Sequence, residues 1–340
     1  KRPDSVGVWQ TFVVFGLGYL VVMLIGAFGY RVPPEGWEPE GWTATEHKSA
    51  LVTSGAVHLD DAHKTLAFWM IWAVLFLNVA AGIAVLSMAS PMLQEIFAGK
   101  LIGLPNLVFK ELSGDQLKAI AGIAAGFVGL LSLFNIGGRF FWAALSDKIG
   151  RKATYFTFFG LGIALYASAP TFAHMGSKAL FVGAFCIILS MYGGGFATVP
   201  AYLADIFGTK FVGAIHGRLL TAWSAAGVVG SEVIGRVRDT QIAAGVPKAQ
   251  VYDKTMYIVV SFLVVGFICN ALIRPVHTKW LMKDNGAQPT TVTGSAINAN
   301  SQGIGKGSLS GAALVPWILV AIPITWGVWK TLQGALRIFS

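Results

Sequence analysis

Arg139 stands in a place where a charge is costly. It follows the uncharged run 120–138 and precedes Phe140-Phe141-Trp142-Ala143-Ala144-Leu145. At a bilayer centre a guanidinium costs at least about 2.5 kcal/mol unless it meets a cavity or a partner. Two readings suit it. One is an anion clamp, donating two parallel hydrogen bonds to a carboxylate. The other is a side chain that snorkels to the membrane surface. Asn78, Ser87, Asn135, Tyr192 and Thr198 are polar groups inside other apolar runs; each is placed either to line a cavity or to bond across helices. Gly193, Gly194 and Gly195, followed by Pro200, interrupt a further run. Each Gly costs about 1 kcal/mol of helix propensity relative to Ala, and Pro about 3. They read as a hinge or as points of close helix approach.

Catalysis would need a tighter grouping of side chains. The six histidines are scattered, five in connectors and His216 at a helix start beside Asp205 and Arg218. No His-Glu-x-x-His pair occurs, and no glycine loop ending in Lys-Ser/Thr, so neither a metal, a cofactor nor ATP drive is expected. Glu232 lies four residues before Arg236, the spacing of a helix-surface ion pair; a proton-coupling role is the other option. A membrane-embedded enzyme such as an acyltransferase or protease, built on His216, Asp205 or Glu232, is the alternative to a transporter.

The elements that must hold these residues are membrane helices. Of 340 residues 55% are hydrophobic and only 12% charged, against roughly 25% charged in soluble domains. That balance excludes an ordinary soluble enzyme and a disordered chain. The net charge of +9 lies in loops between apolar segments, so no nucleic-acid partner is expected. About 20 apolar residues cross a bilayer as a helix. Such runs occur at 8–30, 66–89, 120–145, 153–169, 180–202, 212–234, 256–273 and 312–336. No run alternates with period two, as a barrel requires. The fold class is therefore all-α integral membrane with about eight spans. Residues 31–65 are a polar connector, and 276–311 have a flexible-linker composition rich in Gly, Ser, Thr and Asn. Lys and Arg divide almost evenly between the two sides and leave the orientation open.

Between the third and fourth runs lies Leu145-Ser146-Asp147-Lys148-Ile149-Gly150-Arg151-Lys152. This loop resembles the signature of the major facilitator superfamily, Gly-x-x-x-Asp-(Arg/Lys)-x-Gly-(Arg/Lys)-(Arg/Lys), except that Ala143 replaces the first Gly. Asp147, Lys148, Gly150, Arg151 and Lys152 would then form a cytoplasmic gating loop, which sets the orientation. The segments 86–95 and 192–202, Asp205-Ile206-Phe207-Gly208, Ile215-His216-Gly217 and the connector segment 31–37 are similar to the oxalate/formate antiporter branch. That resemblance implies a helix bundle of which residues 1–30 are the last helix of the first half, 31–65 the cytoplasmic connector, and 66–275 the six-helix second half. Residues 276–311 are then a linker and 312–340 an additional span, with the first five helices of the transporter missing. The function implied is secondary transport of small organic anions across the inner (plasma) membrane, by exchange or proton symport through alternating access. Its partners are a small carboxylate, the lipid bilayer and the missing N-terminal half. The resemblance makes Arg139 the substrate-binding cation. The branch's oxalate exchanger carries a Lys in a Thr-Ala-Lys context, where this chain has Thr221-Ala222-Trp223. Trp223 is then an apolar wall, and monocarboxylates are favoured over oxalate. Asn78, Tyr192 and Thr198 complete the expected substrate-binding set.

Overall fold

The computed structural model describes residues 7–29, 51–53, 55–282 and 311–339, without the side chains of 311–320 and 323. The connector segment 31–37 and linker residues 283–310 lie outside the described residues. The chain divides into two units, 1–47 and 48–340. The described part of the first is α1 (Val8–Gly29), 22 residues that are apolar all round. Taken by itself it has no buried face, as suits a helix whose solvent is lipid.

The second unit contains α2 (Leu59–Ala62), α3 (Leu66–Phe97), α4 (Gly114–Ile149), α5 (Arg151–His174), α6 (Lys178–Phe207), α7 (Val212–Leu219), α8 (Thr221–Ala243), α9 (Asp253–Leu272) and α10 (Gly311–Leu336). The described residues contain no β-strand; one isolated antiparallel bridge joins Val57 to Leu281. Six helices among the described residues are long and apolar enough to cross a membrane: α1, α3, α4, α5, α6 and α9. The architecture is thus an all-helical membrane bundle.

Local sequence sets the helix ends. Thr65 accepts from the Phe68 amide at the start of α3, and Ser113 and Gln116 form a reciprocal capping box on α4. Gly150, at φ 87°, supplies the left-handed turn that separates α4 from α5. One expected span is corrected. Residues 212–234 form two helices with a break at Leu220, beside which the Thr221 hydroxyl donates to the Arg218 carbonyl at 2.8 Å. Beyond the break α8 runs on to Ala243 and carries Glu232, Arg236, Arg238 and Asp239, so it is not among the six apolar crossings.

The centre of the unit is built from α3 and α6. α4 packs along α6, α8 along α3, and α9 along both α5 and α3, while α10 lies against α4. The core is rich in tyrosines whose hydroxyls donate to the interior: Tyr155 to Gly195 O (2.8 Å), Tyr166 to Ala81 O (2.9 Å) and Tyr202 to Asn270 Oδ1 (3.1 Å). A medium without water demands such internal partners.

The expected interruption at the glycine run is also corrected, since α6 is one continuous helix through Gly193, Gly194, Gly195 and Pro200. The three glycines face three different neighbours. A Cβ on Gly193 would lie 2.0 Å from Asn135 O, one on Gly194 2.6 Å from Trp142 Cβ, and one on Gly195 2.5 Å from Asn78 Nδ2. At Gly193 the backbone of α4 itself lies against α6, while Gly194 and Gly195 make room for the side chains of Trp142 on α4 and Asn78 on α3.

Candidate functional site

α4 runs 36 residues, well beyond the expected span, and ends at Ile149. Arg139 therefore sits about 15 Å from its end at 1.5 Å per residue, deeper than the run ending at Leu145 implied. Its guanidinium lies 5.9 Å from the centroid of Phe196 on α6, a cation–π distance. Phe196 in turn meets Trp223 of α8 edge to face at 5.3 Å, and Tyr192 one turn earlier on α6 at 5.2 Å. None of the ion pairs among the described residues uses Arg139. The arrangement is one unpaired cation beside an aromatic wall, open at the bundle surface, where Trp223 is 47% exposed.

Of the five expected substrate residues, the structure gathers Arg139, Tyr192 and Trp223 around Phe196. Asn78 and Thr198 lie inside the bundle, 7% and 1% exposed. The Thr198 hydroxyl donates to Gly194 O at 2.9 Å. The Asn78 amide nitrogen has no hydrogen-bond partner among the described residues. It borders a cavity of about 20 Å³, shared with Tyr192, Tyr166 and Met191, which has room for roughly one water. Tyr192 reaches this place because Gly82 of α3 leaves room for its ring.

The Asp147–Lys152 segment, which is the last turn of α4, Gly150 and the first turn of α5, is a compact ionic knot. Arg151 contacts Asp147 at 2.5 Å and the Ser146 hydroxyl at 2.6 Å, with Asp205 of α6 at 4.0 Å. Lys152 turns away to donate to the carbonyls of Ala271 and Ile273 at the end of α9, at 3.1 and 2.7 Å. Lys148 is exposed. The end of the connector docks beside this knot: the Thr53 amide donates to Asp205 O and the Val57 amide to Phe207 O. Arg218 fastens α2, donating to Leu59 O at 2.8 Å and to Asp60 Oδ1 at 3.0 Å, with His63 Nδ1 at 3.1 Å. This hydrogen bond holds the Asp60 carboxyl below its ordinary range.

Sequence reasoning missed two groups. Phe196 carries no polar atom, yet its spacing one turn after Tyr192 placed it on the same face. The second is a buried cluster at the other end of the bundle, where Glu95 meets Arg238 at 2.5 Å, the Tyr252 hydroxyl at 2.7 Å and Lys248 at 3.4 Å. The expected pair of Glu232 with Arg236 forms. Asp205 faces Arg151.

A family model, the Major Facilitator Superfamily, matches residues 4–231. Three curated relatives show where the similarity runs. The chain is 28% identical over 224 residues to the oxalate:formate antiporter of Oxalobacter formigenes, covering 66% of this chain and 46% of that protein. It is 25% identical over 254 residues to apicoplast pyruvate carrier 1 of Toxoplasma gondii, covering 68% and 43%. It is 23% identical over 220 residues to the uncharacterized MFS-type transporter YhjX of Escherichia coli K12, covering 63% and 46%. The chain thus spans a little under half the length of these relatives.

Proposed function

The chain belongs to the major facilitator superfamily, and we propose that within it the protein serves the secondary transport of small organic monocarboxylates. The observation that carries this reading is the unpaired Arg139 against the Phe196–Trp223 wall. A carboxylate meeting Arg139 gains a charge-assisted contact of about 1.5–3 kcal/mol. A short apolar tail laid on the indole gains about 25 cal/mol per Å² removed from water. A second carboxylate would meet no second cation at the Trp223 position and would cost several kcal/mol to desolvate. Two relatives are named for oxalate and formate and for pyruvate, which supports an organic-acid substrate class. Membership of the oxalate/formate antiporter branch fits the same residues.

In this reading the exposed face carrying Arg139, Phe196 and Trp223 is one wall of a central cavity. The opposing wall comes from the other six-helix half of the superfamily's two-half architecture. Binding moves the equilibrium between outward and inward states by exchange or by proton symport, across the plasma (inner) membrane. The cytoplasmic loop Asp147, Lys148, Gly150, Arg151 and Lys152 is the gate on that side, and Pro200 with the glycine run is the place where α6 can flex. In this reading a water in the small cavity would satisfy the Asn78 amide beneath Tyr192, and Thr198 lies inside the bundle.

Competition decides the matter. Labelled pyruvate should bind reconstituted protein saturably and be displaced by lactate or formate at lower concentrations than by oxalate. Oxalate displacing best would overturn the single-cation reading. Absence of saturable binding by any carboxylate would overturn the substrate class.

A further inference from the structure

We infer that the bundle carries a second anion site, at the end opposite the Asp147 loop, which takes an amphipathic organic anion with one acidic head and an apolar body. The site is a cavity of about 540 Å³ between the end of α3, the segment 98–110 and the turn after α8. That size falls within the range of small-molecule pockets.

The charges explain the preferred ligand. Among the described residues lining the cavity the sole acid is Glu95, against Lys100, Lys110 and Lys248. Glu95 is not available to neutralise them. It is 5% exposed, its Oε1 is held by Arg238 at 2.5 Å, and its Oε2 accepts from Tyr252 at 2.7 Å. Lys248 is a second cation on the same carboxylate, at 3.4 Å, and its ammonium also stands 4.5 Å from the Phe109 ring centroid. Arg238 also meets the exposed Asp239 at 3.7 Å, outside the lining, so the surplus on the lining itself is Lys100, Lys110 and Lys248 against the one occupied carboxylate. Phe97, Leu107, Phe109 and Val246 supply apolar wall around it. A concave, low-dielectric lining of one net sign concentrates the opposite ion. The aromatic and aliphatic wall selects an anion with an apolar body over formate or oxalate.

This inference does not depend on the carboxylate site at Arg139, and the test separates the two. The full chain is placed in phosphatidylcholine nanodiscs and titrated with naphthalene-2-carboxylate and with its neutral carboxamide. The carboxylate should bind saturably and the carboxamide at least roughly tenfold more weakly, the scale of a charge-assisted contact. Lys248→Gln should lower carboxylate affinity by about the same factor. Ala249→Phe, which fills the cavity without changing charge, should abolish binding, whereas Arg139→Gln should leave it intact. Equal binding of carboxylate and carboxamide to the unaltered protein would overturn the proposal, whatever the variants do. Loss of binding in Arg139→Gln would place the probe at the other site and overturn it as well. A third arm adds phosphatidylglycerol to the discs. If it displaces the probe even at high salt, the pocket belongs to lipid headgroups and not to a free organic anion.

Discussion

Arg139 and Arg238 sit in one bundle and make opposite kinds of contact. Arg238 closes on the buried Glu95 with Tyr252 and Lys248 around it, while Arg139 meets the face of Phe196 and no acid among the described residues. A buried pair with full hydrogen bonding is architecture, because removing one member leaves the other charge stranded. Under the proposed function, a cation without an acid in a medium that penalises charge is a receptor, because the acid would come from outside. On that proposal the contrast separates residues that hold the bundle from residues that would bind its cargo.

The largest test breaks the architectural side. Arg238→Leu leaves Glu95 with Tyr252 and one lysine, and should destabilise the protein by about 3 kcal/mol, the low end for a broken buried pair. Thermal unfolding in detergent would show it. Arg139→Gln should leave that unfolding curve in place and weaken monocarboxylate binding by roughly tenfold to a hundredfold, or about 1.5–3 kcal/mol. Arg139→Lys should retain part of the affinity, since it keeps charge but loses the planar fork. The comparison fails if the two effects exchange, with Arg139→Gln unfolding the bundle and Arg238→Leu sparing it.

A third substitution tests the frame that brings Arg139 to Phe196. Gly193→Ala puts a methyl 2.0 Å from Asn135 O, so α4 and α6 must part. Overpacking of this kind costs typically 1–3 kcal/mol. Both stability and carboxylate binding should fall together, unlike in Arg139→Gln. A Gly193→Ala protein with unchanged stability and binding would show that the close approach is not needed to place the cation.

Much of this is legible in the amino-acid sequence. Apolar runs gave seven of the eight expected spans as helices, and the Asp147–Lys152 loop lies in a sharp turn at Gly150. Arg139 was conspicuous because a charge inside an uncharged run has few explanations. The break at Leu220 is not legible, because the run 212–234 carries no Pro and no change of composition at that point. The glycine run suggested weakness along α6, whereas its meaning lies across the helix, in what packs against each missing side chain. Glu95 and Arg238 are far apart in sequence, and nothing in their local patterns announces that they meet. Phe196 went unnoticed for the opposite reason: an aromatic residue among apolar ones carries no signal until a cation is seen above it.

The smallest expected effect concerns a third arginine, which lies between the two extremes. Arg218 pairs with Asp60, yet does so at the surface, where it ties α2 to α7. The groups that face Asp60 are Arg218, His58 and His63. The Arg218 hydrogen bond lowers the Asp60 pKa from its ordinary 3.8, and the folded protein therefore holds the ionised form more tightly than the unfolded chain does. A lowered carboxylate pKa contributes stability that is fully present above 3.8 and is lost as pH falls through the still lower folded value. The clamp should thus be indifferent to pH between about 7 and 5 and should open only in strong acid. Hydroxyl-radical footprinting of residues 51–65 would read this directly. Asp60→Asn should give at neutral pH the raised reactivity that the unaltered protein shows only below 3.8. Reactivity that rises already between pH 7 and 5 would mean that a histidine, not Asp60, controls the clamp.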